Sequence, residues 1–213
     1  MELPIAEAFE SRSEEYDRWY VEHSEIVDSE ARAVASLRPA GFGVEVGVGS
    51  GIFASRLGVQ IGIDPALGML RKAASRGIAC VRAVGEVLPL HDRCFDFALM
   101  VATLCFLQDA DAALEEVYRV LTSDGVLIVC IIPRDSKWGL HYLKKSLEGH
   151  PFYSHAKFYT VAELETLLSR HGFSAVGWAS TLSFGPDECP KLEEPSSTSN
   201  RRGFTCVKAR KTP

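Results

Sequence analysis

The sequence lacks the features that mark several classes of protein. Its six cysteines form no CxxC pair, so the spacing typical of a zinc knuckle or a dithiol redox site is missing. Its apolar runs are shorter than the roughly 20 residues that cross a bilayer. The N-terminus has acidic residues where a signal peptide needs a basic start and an apolar run. We therefore expect a cytoplasmic protein with no membrane partner and no metal site.

Positive charge is also sparse. The formal net charge is -5, and no cluster of Lys and Arg follows one face or helix. Binding to nucleic acid depends largely on neutralising phosphates with such clusters. We predict that the partner is a small molecule and not nucleic acid, and that the protein is a monomer or a homodimer.

Short apolar runs rich in Val and Ile alternate with helical patterns in the first two thirds of the chain. The runs are 43–47, 60–63, 78–82, 95–101 and 125–132, and the candidate helices lie near 50–57, 66–76 and 109–121. Such alternation is typical of a parallel sheet. A helix capped by Thr160 and two further strand-like stretches, FSAVGWASTLSF and GFTCVKARK, follow. We predict an α/β, doubly wound, mostly parallel seven-stranded sheet with an antiparallel C-terminal strand.

The chain is long enough for one full core, and we predict one domain over residues 1–213. Within it we expect a helical N-terminal cover at 1–37, a ligand-binding core at 38–133, a cap at 134–160, and a C-terminal helix with a strand pair at 161–213. The cap concentrates aromatic residues and three histidines without a clean period. The polar stretch 185–202 is expected to be a mobile connection.

The stretch VEVGVGSGIF carries three glycines, Gly47, Gly49 and Gly51, directly behind Glu45. A dinucleotide fingerprint needs GxGxxG, but its third glycine position is Ile52 here. The acid disfavours a phosphate and suits an ammonium group. A tight turn without a ligand is the alternative.

A second acid, Asp64, ends the second apolar run. A carboxylate at that strand end can accept hydrogen bonds from both hydroxyls of a ribose that lies across the sheet. An Asp before a Pro is also a common helix N-cap, which is the competing interpretation. Its place after the glycine turn favours the ligand.

Four stretches carry a family resemblance through their order and spacing. They are VEVGVGSG, IGIDPALGML, GEVLPLHDRCFDFALMVATLCFL and ALEEVYRVLTSDGVLIV. Together they resemble the small class I S-adenosylmethionine-dependent methyltransferases, the methyltransferase type 11 group. The resemblance covers about residues 9–133 and extends more loosely to the C-terminus. It implies a Rossmann-like fold, S-adenosylmethionine as the cofactor and methyl transfer as the activity.

The resemblance also implies roles for residues at matching positions. Those implied to contact the cofactor are Tyr16, Glu45, Gly47, Gly49, Gly51, Asp64, Met69, Gly85, Glu86, Ala102 and Thr103. The glycines and Glu45 would surround its methionine part, Asp64 its ribose and Met69 its adenine. Family members often have an acid where this chain has Val84, so one adenine contact is missing.

The acceptor is expected to bind between the cap and Tyr16, Trp19 and Tyr20 of the N-terminal segment. An acceptor that must lose a proton could use a base, for which His155, His141 and Tyr159 are the candidates. Each is also compatible with an ordinary role in the cap. A thiol or metalloid methyltransferase, and a non-catalytic module that binds S-adenosylmethionine, are the alternatives to a small-molecule methyltransferase.

Overall fold

A seven-stranded sheet organises the computed structural model, which describes residues 4–198 and 202–212. The strands are β1 (Gly43–Val46), β2 (Ile61–Asp64), β3 (Ala79–Arg82), β4 (Phe95–Val101), β5 (Leu121–Ile131), β6 (Phe173–Thr181) and β7 (Phe204–Lys211). Their order is β3-β2-β1-β4-β5-β7-β6, and β1 to β5 are parallel. This arrangement confirms the predicted doubly wound α/β sheet.

Eight α-helices surround the sheet in the residues described. They are α1 (Pro4–Ser11), α2 (Ser13–Glu22), α3 (Ser24–Leu37), α4 (Ile52–Leu57), α5 (Leu67–Ser75), α6 (Ala110–Val120), α7 (Lys137–Leu147) and α8 (Val161–Arg170). The three helices predicted in the core correspond to α4, α5 and α6. As predicted, Thr160 caps α8; its side chain and that of Glu163 form a capping box. None of the helices described is long and apolar enough to cross a membrane.

The centre of the sheet is buried on both faces. In β4 and β5 the sequences FALMV and VLIVCI have almost no solvent contact, so successive side chains enter opposite apolar layers. Helices α6 and α8 cover one layer, and α3, α4 and α5 cover the other. Burial on both faces keeps the carboxyl ends of β1, β2 and β4 fixed at one edge, where side chains can converge.

The C-terminal strand enters the sheet instead of adding to its edge. β7 lies between β5 and β6 and is antiparallel to both, with Thr205 and Val207 fully buried. This insertion confirms the predicted antiparallel strand pair. It also brings Cys206 opposite Cys130 of β5, and the two form a disulfide. The sequence shows no CxxC pair, and this pairing across 76 residues depends on strand register.

The cap is more regular than its sequence suggests. Residues 134–160 contain α7, whose first turn is capped by the Ser136 hydroxyl accepting from the Gly139 amide at 2.9 Å. Trp138 and Tyr142 are one helical turn apart and both are buried. The many other aromatic residues nearby hide this period in the sequence.

The described part of the polar stretch after β6 contacts the body of the protein. The Glu193 amide donates to the Ser29 hydroxyl of α3 at 2.9 Å, and Ser196 pairs with Ser180 of β6. These contacts hold the stretch against α3 and β6 as far as residue 198.

Candidate cofactor and acceptor site

A cleft of about 730 Å³ opens at the carboxyl ends of β1, β2 and β4. Its lining includes nine of the residues predicted to contact a cofactor: Tyr16, Gly47, Gly49, Asp64, Met69, Gly85, Glu86, Ala102 and Thr103. Ile5, Ala6 and Phe9 of α1 close it from the N-terminal side, and Phe106 and Leu107 contribute from the segment after β4. A cleft with this lining suits a small organic ligand with an apolar ring.

The glycine turn brings backbone, and not side chains, to the floor of the cleft. Gly47 has φ +74°, and a Cβ there would lie 2.2 Å from Cγ2 of Thr103. Gly51 is a glycine for another reason, because its Cβ would lie 2.9 Å from the Cα of Ala73 in α5. Gly51 therefore lets α4 pack against α5, and it is not among the residues that line the cleft.

Asp64 joins the end of β2 to the glycine turn. Its Oδ2 accepts from the Gly49 amide at 3.0 Å and its Oδ1 from the Ala66 amide at 2.9 Å. Burial raises its pKa to about 6, although the two amide hydrogen bonds oppose that rise. The helix N-cap position is held by Ala66, so the N-cap interpretation of Asp64 does not describe this geometry. Asp64 lines the cleft and retains lone pairs that can accept hydroxyl donors.

Glu45 lies beneath the turn, at 1% exposure, and does not line the cleft. Its Oε2 has no hydrogen-bond partner among residues 4–198 and 202–212. Burial raises its pKa well above the ordinary value, against a smaller lowering by the Ala54 amide. A buried carboxylate oxygen without a partner is costly. The ammonium group of a methionine-like ligand over the turn would offset that cost, so the residues present fit such a ligand.

Further lining residues follow the carboxyl end of β4 or lie in the segment after β3. Ala102 has φ +52°, a backbone conformation that a residue with a Cβ rarely adopts. The Thr103 hydroxyl donates to the Gly47 carbonyl at 3.3 Å. Glu86 lines the cleft, and its Oε1 accepts from the amides of Gln108 and Asp109, which precede α6. Part of the role of Glu86 is therefore to hold the loop before α6.

The N-terminal aromatic residues separate into two groups. Tyr16 lines the cleft, and its hydroxyl lies 2.7 Å from that of Tyr20. Trp19 faces away and stacks on His23, with the ring centroids 4.4 Å apart. Phe9, which the sequence interpretation did not single out, stacks on Phe152 of the cap at 4.7 Å. The cover and the cap therefore meet through rings beside the cleft.

Neither histidine proposed as a base lies in the cleft. His155 is exposed in a short 3-10 turn, and His141 lines an outer groove on α7. Because Tyr142 points inward, the preceding residue is turned outward on the same helix. Tyr159 lies closer to the site, in a small cavity shared with Ala102 behind the cleft.

The sequence interpretation missed one buried acid. Glu30 of α3 has 8% exposure and shares the buried face of its helix with Ile26 and Ala33. In the sequence, Glu30 lies four residues after Ile26 and three before Ala33. It therefore falls on the apolar stripe of an amphipathic helix, which was the signal available.

Comparisons with known proteins place this geometry in a family. Residues 44–129 match the family described as "Methyltransferase domain". The crystal structure of a Thermotoga maritima protein, named a SAM-dependent methyltransferase and possible histamine N-methyltransferase, is 38% identical, with a TM-score of 0.93. The match covers 98% of this chain and 100% of that one.

Two further relatives match most of this chain but different shares of their own lengths. An uncharacterized protein from Methanocaldococcus jannaschii is 36% identical over 95% of this chain and 98% of its own length. An uncharacterized protein from Mycobacterium tuberculosis is 38% identical over 84% of this chain, which spans only 65% of that relative. The near-complete match to the Thermotoga protein, in sequence and in fold, decides the family. This chain belongs to the S-adenosylmethionine-dependent methyltransferases.

Proposed function

We propose that this protein transfers a methyl group from S-adenosylmethionine to a small-molecule acceptor by in-line displacement. The observation that carries the proposal is the cleft, which combines a glycine turn, the buried acid Asp64 and an aromatic cover at the carboxyl edge of a parallel sheet. The name of the Thermotoga protein, which refers to a small amine, supports a small acceptor.

The chain's own residues would hold the cofactor in an orientation that the sheet edge dictates. Asp64 would accept the ribose hydroxyls, Glu45 would stabilise the ammonium group from beneath the turn, and Met69 would border the adenine. When bound, S-adenosylmethionine supplies a methyl group that its sulfonium has already activated. The protein therefore needs to align the acceptor and exclude water, and it needs no nucleophile of its own.

The cover and the segment after β4 would provide the acceptor side. Phe9 and Phe106 have their ring centroids 5.2 Å apart, and both line the cleft. Tyr16 completes this wall. Such rings exclude water from the reacting atoms and position an organic acceptor.

The thiol or metalloid alternative finds less support in the positions of the cysteines. Burial raises the pKa of Cys105 to about 12, which keeps it a thiol, and Cys130 and Cys206 are joined in a disulfide. The exposed Cys94 and Cys189 are not among the residues that line the cleft. The positions of these cysteines therefore favour a site whose chemistry does not use a cysteine of the protein.

Titration calorimetry with S-adenosylmethionine, S-adenosylhomocysteine and NADH tests the cofactor assignment. We expect binding of the first two and none of NADH. Radiolabelled methyl transfer to a metabolite pool, with products identified by mass, then separates an enzyme from a non-catalytic module. Tight binding of NADH, or binding of S-adenosylmethionine with no transfer to any acceptor, would contradict the proposal.

A further inference from the structure

A second groove lies on the outer side of the cap, and we call it the outer groove. Helix α7 forms one wall, α2 and the start of α3 form another, and the stretch after β6 forms the third. None of its described lining residues also lines the cofactor cleft. The residues that determine its chemistry are Trp19, His23, Trp138, Tyr142, Lys145 and Phe184.

Aromatic side chains from three segments line the outer groove, and their contacts fix them in place. Trp19 and His23 stack with centroids 4.4 Å apart, and Nδ1 of His23 lies 2.8 Å from the Trp19 carbonyl oxygen. The ring centroid of Trp138 lies 6.1 Å from that of Tyr142. The Trp138 indole donates to the Phe184 carbonyl at 2.7 Å. Rings held in this way can contact a flat ligand with little further loss of side-chain freedom.

Lys145 brings positive charge to the outer groove. Its side chain is half-buried, and its Nζ lies 5.8 Å from the centroid of the Tyr142 ring. In the part of the chain that the structure describes, Lys145 has no ion-pair partner. The acid in the lining, Glu188, is already paired, because its Oε1 accepts from Lys137 at 2.6 Å and from the Gly185 amide at 2.9 Å. The ammonium group of Lys145 is therefore available to an anionic ligand.

We propose that the outer groove binds a small aromatic carboxylate as an effector, and that this ligand strengthens cofactor binding. The fixed rings favour a flat apolar body, and the half-buried ammonium group favours a carboxylate through charge-assisted hydrogen bonds. A neutral aromatic ligand would leave Lys145 without a counter-ion. An aromatic amine would bring a second positive charge close to it.

Helix α2 connects the outer groove to the cofactor cleft. It places Trp19 in the groove and Tyr16, one helical turn earlier, in the cleft. No residue of α2 is fully buried, so little apolar packing fixes its position. A ligand that contacts both Trp19 and Lys145 joins α2 to α7 and thereby holds Tyr16 at the cleft. The same coupling makes the cofactor strengthen binding of the effector by an equal factor.

The test compares indole-3-acetate with indole-3-acetamide, its neutral analogue of similar shape. Each is titrated calorimetrically into the full chain saturated with S-adenosylhomocysteine, so that the cofactor cleft is filled. Separate titrations measure the affinity for S-adenosylhomocysteine with and without indole-3-acetate. The variants are Lys145→Gln and, as a matched control, Lys144→Gln, because Lys144 is exposed and is not among the residues that line the groove.

We expect indole-3-acetate to bind the wild type at least about fivefold more tightly than the amide, because only the acetate pairs with Lys145. Lys145→Gln should lose this preference, and Lys144→Gln should keep it. Trp19→Leu removes a ring from another wall of the groove and should weaken binding of both compounds. Bound indole-3-acetate should raise the affinity for S-adenosylhomocysteine about fivefold.

Four results would each overturn the proposal. They are no binding of indole-3-acetate, equal binding of the acetate and the amide, an unchanged preference in Lys145→Gln, and an affinity for S-adenosylhomocysteine that does not respond to the acetate. The melting temperature of each variant is recorded first. If Lys145→Gln does not fold, Trp19→Leu locates the binding, and unchanged binding in that variant would equally overturn the proposal.

Discussion

Arg76, the residue that follows α5, donates two hydrogen bonds of 2.9 Å to the two carboxylate oxygens of Asp17 in α2. Its other terminal nitrogen, Nη1, donates to the Ser50 carbonyl of the glycine turn at 2.7 Å. One guanidinium group therefore joins the N-terminal cover to the turn that forms the floor of the cleft. Both side chains are largely shielded, so solvent screens this pair less than an exposed one.

Two more contacts join α5 to the N-terminal helices, and on α5 they are spaced one helical turn apart. Lys72 of α5 pairs with Glu14 of α2 at 2.7 Å, and the Gly68 amide donates to Glu10 of α1 at 2.8 Å. The cover is thus attached along α5 by charged and polar contacts. We expect this attachment to contribute to cofactor affinity because Tyr16 and Phe9 of the cover line the cleft.

Arg76→Ala should weaken S-adenosylmethionine binding by about 1 kcal/mol or more, roughly fivefold in Kd, because it removes charge-assisted hydrogen bonds that hold the cover. Calorimetry measures the change. Arg12→Ala is the matched control, since Arg12 pairs with Glu15 at an exposed site on the cover. Equal affinities of the wild type and Arg76→Ala would show that the attachment does not support the cofactor.

Asp64→Ala should weaken cofactor binding by about 1–3 kcal/mol, because it removes the acceptor for the ribose hydroxyls and frees the Gly49 amide. Asp96→Ala provides the comparison. Asp96 also accepts a backbone amide, that of Phe42 at 2.7 Å, but at the opposite end of the sheet. If both variants lost the same affinity, the loss would come from lower stability of the protein and not from a missing contact to the cofactor.

Cofactor affinity should fall as the pH drops through about 6, the raised pKa of Asp64. Ribose hydroxyls donate to the ionised carboxylate, so below that pKa the free protein must release a proton in order to bind. Asp64 alone lowers the cofactor affinity by at most about tenfold per pH unit below its pKa, and above pH 6 it adds no pH dependence. Titrations between pH 5 and 8 measure it, and Asp64→Asn should lose this dependence.

Gly47→Ala should destabilise the protein strongly. The new Cβ would lie 2.2 Å from Thr103 at a φ of +74°, and overpacking of this kind typically costs about 1–3 kcal/mol beyond the backbone strain. Gly58→Ala is the control, since Gly58 has φ +65° but, in the part of the chain that the structure describes, an added Cβ would meet no atom beyond its chain neighbours within 4 Å. It should cost only the left-handed backbone penalty, about 1 kcal/mol. If denaturant titrations gave the two variants equal free energies of unfolding, the close approach of Thr103 to Gly47 would be contradicted.

His155→Ala should leave methyl transfer within about twofold of the wild type, because an exposed side chain outside the cleft lining offers no base to the acceptor. A known acceptor and steady-state kinetics check this. Glu25→Gln, also exposed, is the reference for a neutral surface change. A drop of about 100-fold in His155→Ala with an unchanged melting temperature would restore the role as a base that the sequence suggested.

The sheet and its cofactor edge could be predicted from local sequence. Runs such as GVEVG and FDFALMV are apolar over the length of a strand, and the glycines between β1 and α4 and the acid ending β2 recur at intervals that chain connectivity converts into one edge. The predicted return of the C-terminal strand also followed from connectivity, because the last strand could reach the sheet only as an antiparallel partner. These are short-range rules: each depends on neighbours within one or two elements.

Side-chain direction and pairing over long separations were decided only by the tertiary structure. Which residue of α7 points inward depends on the rotation of that helix, which buries Tyr142 and turns His141 outward. The Cys130–Cys206 disulfide depends on the register of strands 76 residues apart in sequence. The burial of Glu30 depends on how α3 packs against the sheet. Because each of these contacts needs several elements packed at once, no local pattern of residues could specify it in advance.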